Sequence, residues 1–425
     1  MTAPVGTARA AERAPISPSL GRREWLLLAI TLVFWVFDGY ETFALLITGF
    51  TAVRSLLPVT AAADVPRYFG YVVALTLLGW AVGGVIGGIM GDRFGRRRTM
   101  VTAVVVYGVF TGLTAFVPNW ELLGATRFLT GLGIGAEWGV GMSLLQEVWP
   151  AEWRTKGAGL LQAGFSMGGL LASGLWILLG SYLGLSWRLM FLIGIVPAFL
   201  VFFAQPAIPE SERWLAKRTS SVRTILSGLL SGTERRNLVL GVLASIAITV
   251  GFWGASSYLP SFVGALAPAK DVPFYSGLAG ALYNVGEIIG CILFGFAAEW
   301  FNRRGTAVVY LIGSLIIIPI AYLATHDAMT ASLMQLAAGL FTGGVFSWYA
   351  VHPPELFSTA VRSSSISIIF NLARLLAVVG AVLTGTLAQA LGGVGHAAAA
   401  VAPIYLLGII AVLLLPETKG QPLPD

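Results

Sequence analysis

The stretch GDRFGRRRTM, residues 91–100, puts four arginines and one aspartate into a few residues between two long apolar runs. A charged stop at a membrane surface would explain the arginines. It would need neither Asp92 nor Gly95, so the stretch asks for a structural partner on one side of a membrane.

The rest of the chain agrees with a membrane setting. It has 425 residues, of which 56% are hydrophobic and 11% charged, and a mean hydropathy of +0.82, more than a water-soluble surface of this size sustains. Apolar runs long enough to cross a hydrocarbon core of roughly 30 Å as helices recur throughout. Twelve are expected, at 25–50, 70–90, 100–118, 122–148, 157–183, 187–204, 239–264, 276–298, 306–324, 331–352, 365–390 and 397–415. The first follows a polar leader and has no small-residue cleavage site, so it reads as a retained span and not a signal peptide. The single Cys291 excludes an internal disulfide.

Of the 26 Lys and Arg, 20 fall on one side when the N-terminus is placed in the cytoplasm, and only Arg54, Arg67, Arg188 and Lys270 lie outside. This asymmetry predicts cytoplasmic N- and C-termini. The net charge of +6 thus reports topology, and with no basic fold motif no nucleic-acid partner is expected.

Shifting the sequence on itself by about 207 residues lays Gly79, Gly83 and Gly88 on Gly286, Gly290 and Gly295, and Asp92, Arg96 and Arg97 on Glu299, Arg303 and Arg304. One residue more brings Gly131, Gly135, Glu147 and Arg154 onto Gly339, Gly343, Glu355 and Arg362. The expected organisation is therefore a cytoplasmic leader (1–24), a six-helix bundle (25–204), a polar cytoplasmic loop (205–238), a second six-helix bundle (239–415) and a tail (416–425). The row Gly79, Gly83, Gly87 and Gly91 predicts one flat helix face for close packing.

The G-x-x-x-D-R-x-G-R-R pattern resembles the hallmark loop of the major facilitator superfamily, with a weaker echo in GFAAEWFNRRG (295–305), where Glu299 replaces the Asp and Asn302 the Gly. RFLTGLGIGAEWG (127–139) and EVWPAEWRTKGAGLLQAGFSMGGLLA (147–172) resemble the signature of metabolite:proton symporters, notably carriers of aromatic acids, sialate or lactate. PESERWL (209–215) and PETKG (416–420) are similar to loops that these carriers share with sugar porters. The resemblance implies an all-α membrane protein with twelve transmembrane helices in two bundles related by a pseudo-two-fold repeat. It also implies a cytoplasmic gate, in which Asp92 holds a neighbouring helix end and the arginines grip the facing bundle and lipid headgroups. The gate candidates are Gly91, Asp92, Arg93, Gly95, Arg96 and Arg97, their echo Glu299, Arg303 and Arg304, and the recurring E-x6-R pairs Glu147 with Arg154 and Glu355 with Arg362.

Six ionisable groups fall well inside expected helices: Asp38, Glu41, Arg127, Glu137, Glu287 and Arg374. Each costs roughly 2.5–3.5 kcal/mol at a helix centre, so they should face a protein interior or a wet cavity. Asp38 and Glu41, in FWVFDGYETF (34–43), share a helix face and could hold one proton between them. They could equally neutralise Arg127. The resemblance places an acid pair here and ties Arg127 to proton coupling; Glu137 is a further coupling candidate. Arg374, with Asn371 on the same face, suits a carboxylate because a guanidinium offers paired donors and keeps its charge; an ion pair with Glu287 is the alternative. Gln162, Tyr258, Asn284, Trp348 and Tyr349 are candidate cavity residues. His326, His352 and His396 make no metal set.

The expected function is secondary active transport of a small organic anion, a carboxylate, with protons by alternating access. No cofactor is expected, a proton gradient is the expected energy source, and the chain is expected to work as a monomer among the lipids of a bacterial inner membrane. No G-x-x-x-x-G-K-[ST] motif points to ATP as the driver. The alternatives are a sugar or polyol porter and a proton-antiport exporter of a drug or metabolite. No nucleophile and base pair supports an enzyme.

Overall fold

In the computed structural model the described residues are 20–424, apart from 59, 61–64, 177, 180–182, 217–221, 256–258, 269–270 and 392–393. Among them all regular structure is helical. The first half contains α1 (Arg22–Leu56), α2 (Val65–Phe94), α3 (Arg96–Thr114), α4 (Trp120–Val148), α5 (Arg154–Trp176), α6 (Arg188–Ile193) and α7 (Val196–Ala204). Two short helices follow, α8 (Glu212–Ala216) and α9 (Val222–Leu229). The second half contains α10 (Gly232–Ala255), α11 (Leu259–Ala265), α12 (Val272–Trp300), α13 (Arg303–Leu323), α14 (Ala328–Ala338), α15 (Ser347–Val351), α16 (Pro353–Leu356), α17 (Arg362–Ala390), α18 (Val394–Val401) and α19 (Ile404–Leu414).

Among the described residues, ten segments are long and apolar enough to cross a membrane. Helices α3 and α17 stand where the other two expected segments were placed. Several expected spans are interrupted for local reasons. The sixth breaks between α6 and α7 at Gly194, just ahead of Pro197. The tenth passes from α14 through a π turn at Gly339–Gly343 and a tight 3-10 turn at Gly344–Phe346 before α15. The described residues of the stretch between the halves, 205–216 and 222–238, hold α8, α9 and the start of α10, with Ile225 and Leu229 buried. Side-chain caps open α4 and α14: Asn119 Oδ1 accepts the Leu122 N–H at 2.9 Å, and Asp327 Oδ1 that of Thr330 at 2.8 Å. That bond to Thr330 holds the exposed Asp327 carboxyl below the usual carboxylate range.

Within the first half α2 packs on α4 and α1 on α5; within the second, α12 packs on α14 and α10 on α17. Contacts between the halves run along α2 with α17 and α5 with α12, two seams related by the internal repeat. In lipid, where apolar burial does not drive helices together, close backbone approach does. The expected glycine row lies along α4 at Gly79, Gly83 and Gly87, and Gly91 at its end meets both α4 and α17. A Cβ at Gly79 or Gly83 would come within 2.1 Å of the Phe128 or Leu132 carbonyl of α4, whereas one at Gly88 would come within 2.7 Å of the Ser367 side chain of α17. In the second seam Gly295 faces Gly159 in the same way, its Cβ position lying 3.2 Å from the Gly159 Cα.

Candidate functional site

At the GDRFGRRR end the halves are fastened together. Asp92, in the last turn of α2, accepts the backbone N–H groups of Ser363 at 3.2 Å and Ser364 at 2.8 Å, and the Ser364 hydroxyl at 2.6 Å. These donors lie in the first turn of α17, where unpaired N–H groups and the helix dipole favour an anion. Arg96 meets Asp92 at 3.2 Å and grips Glu147 through Nε at 3.2 Å and Nη2 at 3.1 Å. Glu147 also receives Arg362 of the second half at 2.7 Å. Arg362 in turn donates to the Pro424 carbonyl at 2.7 Å, which draws the C-terminal tail into the closure.

The pairs expected within each E-x6-R unit do not form. Arg154 and Arg362 turn Nε onto the Trp149 and Pro354 carbonyls, at 2.9 and 3.0 Å, satisfying groups at the preceding helix end. Glu147 is left for Arg362 across the seam, and Glu355 for Arg303. Arg93 and Arg97 also stay out of the network. The Arg93 guanidinium lies 4.9 Å over its neighbour Phe94, and Arg97 borders a surface groove of about 700 Å³ beside Trp214.

The echo repeats the arrangement with altered chemistry. Glu299 of α12 accepts the Thr155 hydroxyl of α5 at 3.0 Å, and Arg303 grips Glu355 through Nε and Nη2, both at 2.9 Å. The longer Glu299 thus meets one hydroxyl where Asp92 meets two N–H groups and a hydroxyl. Gly95 has φ +105°, a conformation that disfavours a side chain, and a Cβ there would lie 2.4 Å from Glu210 Oε2. At the echo Asn302 is extended and caps the Gly305 N–H itself. Both copies receive a carboxylate from a distant loop: Glu210 accepts the Arg96 N–H at 3.0 Å, and Glu417 accepts those of Arg303 and Arg304, both at 3.0 Å. Partial burial pushes the Glu417 carboxyl up, but the N–H groups of Arg304, Arg303 and Lys419 outweigh it and hold it below the usual range. Glu210 and Glu417 were not among the expected gate residues, although PES and PET recur at the offset of the repeat.

Deep in the first half lies an acid cluster. Arg127 is 1% exposed. Its donors meet Thr111 at 3.0 Å, Thr114 at 2.9 Å, Thr130 at 2.8 Å and Glu41 at 3.4 Å, with the Phe191 ring 4.8 Å from the guanidinium carbon. The Asp38 carboxyl is fully buried, neither of its oxygens has a hydrogen-bond partner among the described residues, and the Glu137 carboxyl lies beside it. The pairing therefore differs from the expected one: Asp38 meets Glu137 of α4, while its helix neighbour Glu41 serves Arg127. Both acids face α4, Glu41 toward Arg127 and Asp38 toward Glu137, ten residues apart on that one helix.

Between the halves, away from the GDRFGRRR end, is a cavity of about 200 Å³ bordered by Thr42, Phe43 and Phe165 on one side and Phe252, Trp253, Tyr283, Asn284 and Glu287 on the other. A smaller space of about 30 Å³ adjoins it, walled by Trp35, Trp80, Gln162, Phe346, Phe370, Glu287 and Arg374. The Arg374 guanidinium sits 4.3 Å over the Trp80 ring and 3.8 Å over the Phe370 ring. It donates to the Phe370 carbonyl at 2.8 Å and to Asn371 Oδ1 at 3.3 Å. Among the described residues no carboxylate pairs with it, so the expected alternative, an ion pair with Glu287, is not formed.

Of the other candidates, Gln162 borders the small space and accepts the Trp138 indole N–H at 3.2 Å. Asn284 borders the larger one with Oδ1 unpartnered. Asn371 orients Arg374. Trp348 and Tyr349 do not border either space: the Trp348 indole donates to His352 Nδ1 at 3.2 Å, and the Tyr349 hydroxyl lies 2.9 and 2.8 Å from the Ser245 and Thr249 hydroxyls. Tyr258 lies outside the described residues. The aromatic walls, Trp35, Trp80, Phe165, Phe252, Trp253 and Phe370, were not singled out, because nothing in an apolar run separates a ring facing a cavity from one facing lipid.

The Major Facilitator Superfamily model matches residues 42–374, and a Sugar (and other) transporter model matches residues 333–425. A Haemophilus influenzae protein named for metabolite transport is 31% identical over 94% of this chain and 98% of its own length. The cis,cis-muconate transport protein of Acinetobacter baylyi is 28% identical, covering 83% of this chain and 86% of the relative. Among solved structures, the proton:xylose symporter XylE superposes with a TM-score of 0.75 at 21% identity, over 94% of this chain and 98% of that one.

Proposed function

This chain belongs to the Major Facilitator Superfamily, and from that premise we propose that it moves a small carboxylate across a membrane together with protons by alternating access. Two bundles, 25–204 and 239–415, would contribute twelve membrane-crossing segments with both termini in the cytoplasm of a bacterial cell and the latch on the cytoplasmic face. The observation that carries the substrate reading is Arg374, a buried guanidinium against two rings, beside a cavity and with no carboxylate partner among the described residues. Leaving such a charge unpaired is costly, so a ligand carboxylate is the partner that completes it. Asp38 and Glu137 support the proton reading: two buried carboxyls side by side escape like-charge repulsion only when one carries a proton, and Arg127 three residues from Thr130 fixes Glu41 beside them.

Proteoliposome uptake tests this. A carboxylate substrate should enter with alkalinisation of the outer medium, and uptake should collapse when the proton gradient is dissipated. Arg374→Ala should abolish uptake while the helical circular dichroism is kept; retained affinity would remove Arg374 from the site. The sugar-porter reading has the match over 333–425 in its favour, but a neutral polyol would leave the Arg374 charge without a counter-ion.

A further inference from the structure

The cavity carries a second charge that the carboxylate reading does not use. Glu287 of α12 borders both the larger and the smaller space, and Arg374 borders the smaller one. The two groups do not pair with each other, and among the described residues no cation lies within ion-pair distance of Glu287; the Ser166 hydroxyl of α5 lies near it and has no hydrogen-bond partner among the described residues. Its carboxylate is thus a buried acceptor open to the cavity and without a counter-charge. Gly343, in the π turn, makes room for it: a Cβ there would lie 2.5 Å from Glu287 Cγ. The rings around this end, Phe165, Phe252 and Trp253, border both spaces, and aromatic faces attract an organic cation.

A cation and a carboxylate held apart in one cavity, each with aromatic neighbours, are complementary to a molecule carrying both charges. We propose that the cargo is a zwitterion, its carboxylate on Arg374 and a protonated or quaternary nitrogen at Glu287 among the rings. This rests on the reading of Arg374 as the anion site and narrows its substrate class. A plain monocarboxylate would satisfy Arg374 and leave Glu287 unpaired, and a dicarboxylate would bring a second negative charge against it.

The test is binding to the purified full chain, by thermal shift and by calorimetry. The probes are zwitterionic carboxylates from glycine betaine to 4-(aminomethyl)benzoate, each paired with the uncharged-tail carboxylate of the same length, with terephthalate as the dianion. The wild type should bind at least one zwitterion about tenfold tighter than its partner, and Glu287→Gln, which keeps the shape, should shrink that preference to about threefold or less while terephthalate gains. A preference absent in the wild type, or unchanged in Glu287→Gln, overturns the zwitterion assignment and leaves the anion site standing. Carboxylate affinity that survives Arg374→Ala overturns the earlier reading, and binding of no probe by the wild type overturns both.

Discussion

Glu210 and Glu417, one after each half, do the same work: each carboxylate accepts the backbone N–H groups that open a helix, those of Arg96 and Arg97 for Glu210 and of Arg303 and Arg304 for Glu417. The helices they cap, α3 and α13, each begin with the arginine that grips the nearby buried glutamate, Glu147 or Glu355. A loop carboxylate thereby holds each arginine's backbone while the buried glutamate holds its side chain. The two copies differ in reach: Glu147 also holds Arg362 across the seam, and Glu355 stays within its own half and bonds Thr418.

Asp92→Ala should release the first turn of α17. It removes three hydrogen bonds to a charged acceptor, each worth about 1.5–3 kcal/mol. Distances between spin labels at the exposed Arg98 and Arg235 should lengthen and broaden relative to the wild type. An unchanged distribution would show that the contact does not hold the halves closed.

Glu147→Gln and Glu355→Gln should separate closure from stability. Each breaks a buried pair, with an expected cost of about 3–5 kcal/mol, read as a lower thermal midpoint in detergent. Only Glu147→Gln should also open the labelled distance, because only Glu147 bridges the two halves. Equal opening in both variants would contradict this division.

Gly194→Ala places a Cβ where Glu41 Oε1 now lies, 1.8 Å away. The carboxylate must move and its contact with Arg127 is lost. Proton-driven uptake should fall about tenfold or more, while counterflow exchange at equal pH is less affected. If the pH dependence of uptake matches the wild type, Glu41 is not part of coupling.

Glu417 gives a pH dependence of defined sign. Its folded-state pKa lies below the ordinary value of about 4.3, so its stabilisation is present in full above that pH. It is withdrawn as the pH falls through the lowered pKa. Thermal midpoints of the wild type should therefore drop on acidification below about pH 4.3, and Glu417→Gln should lower the midpoint near neutrality and flatten that drop. A variant whose midpoint follows the wild-type curve would show the cap to be without effect.

The sequence alone determined that this is a helical membrane protein with an internal repeat, because hydropathy, arginine placement and glycine recurrence are properties of a linear chain. It also identified the acids and arginines that cannot face lipid, since the cost of burying a charge does not depend on which neighbour relieves it. The tertiary structure alone decided who those neighbours are. Asp38 turned to Glu137 and not to Glu41, Glu147 to Arg362 and not to Arg154, and Arg374 to two aromatic rings and an open cavity instead of Glu287. Helical periodicity states which residues share a face, but the partner across that face comes from another helix packed at a distance in sequence that no local pattern encodes.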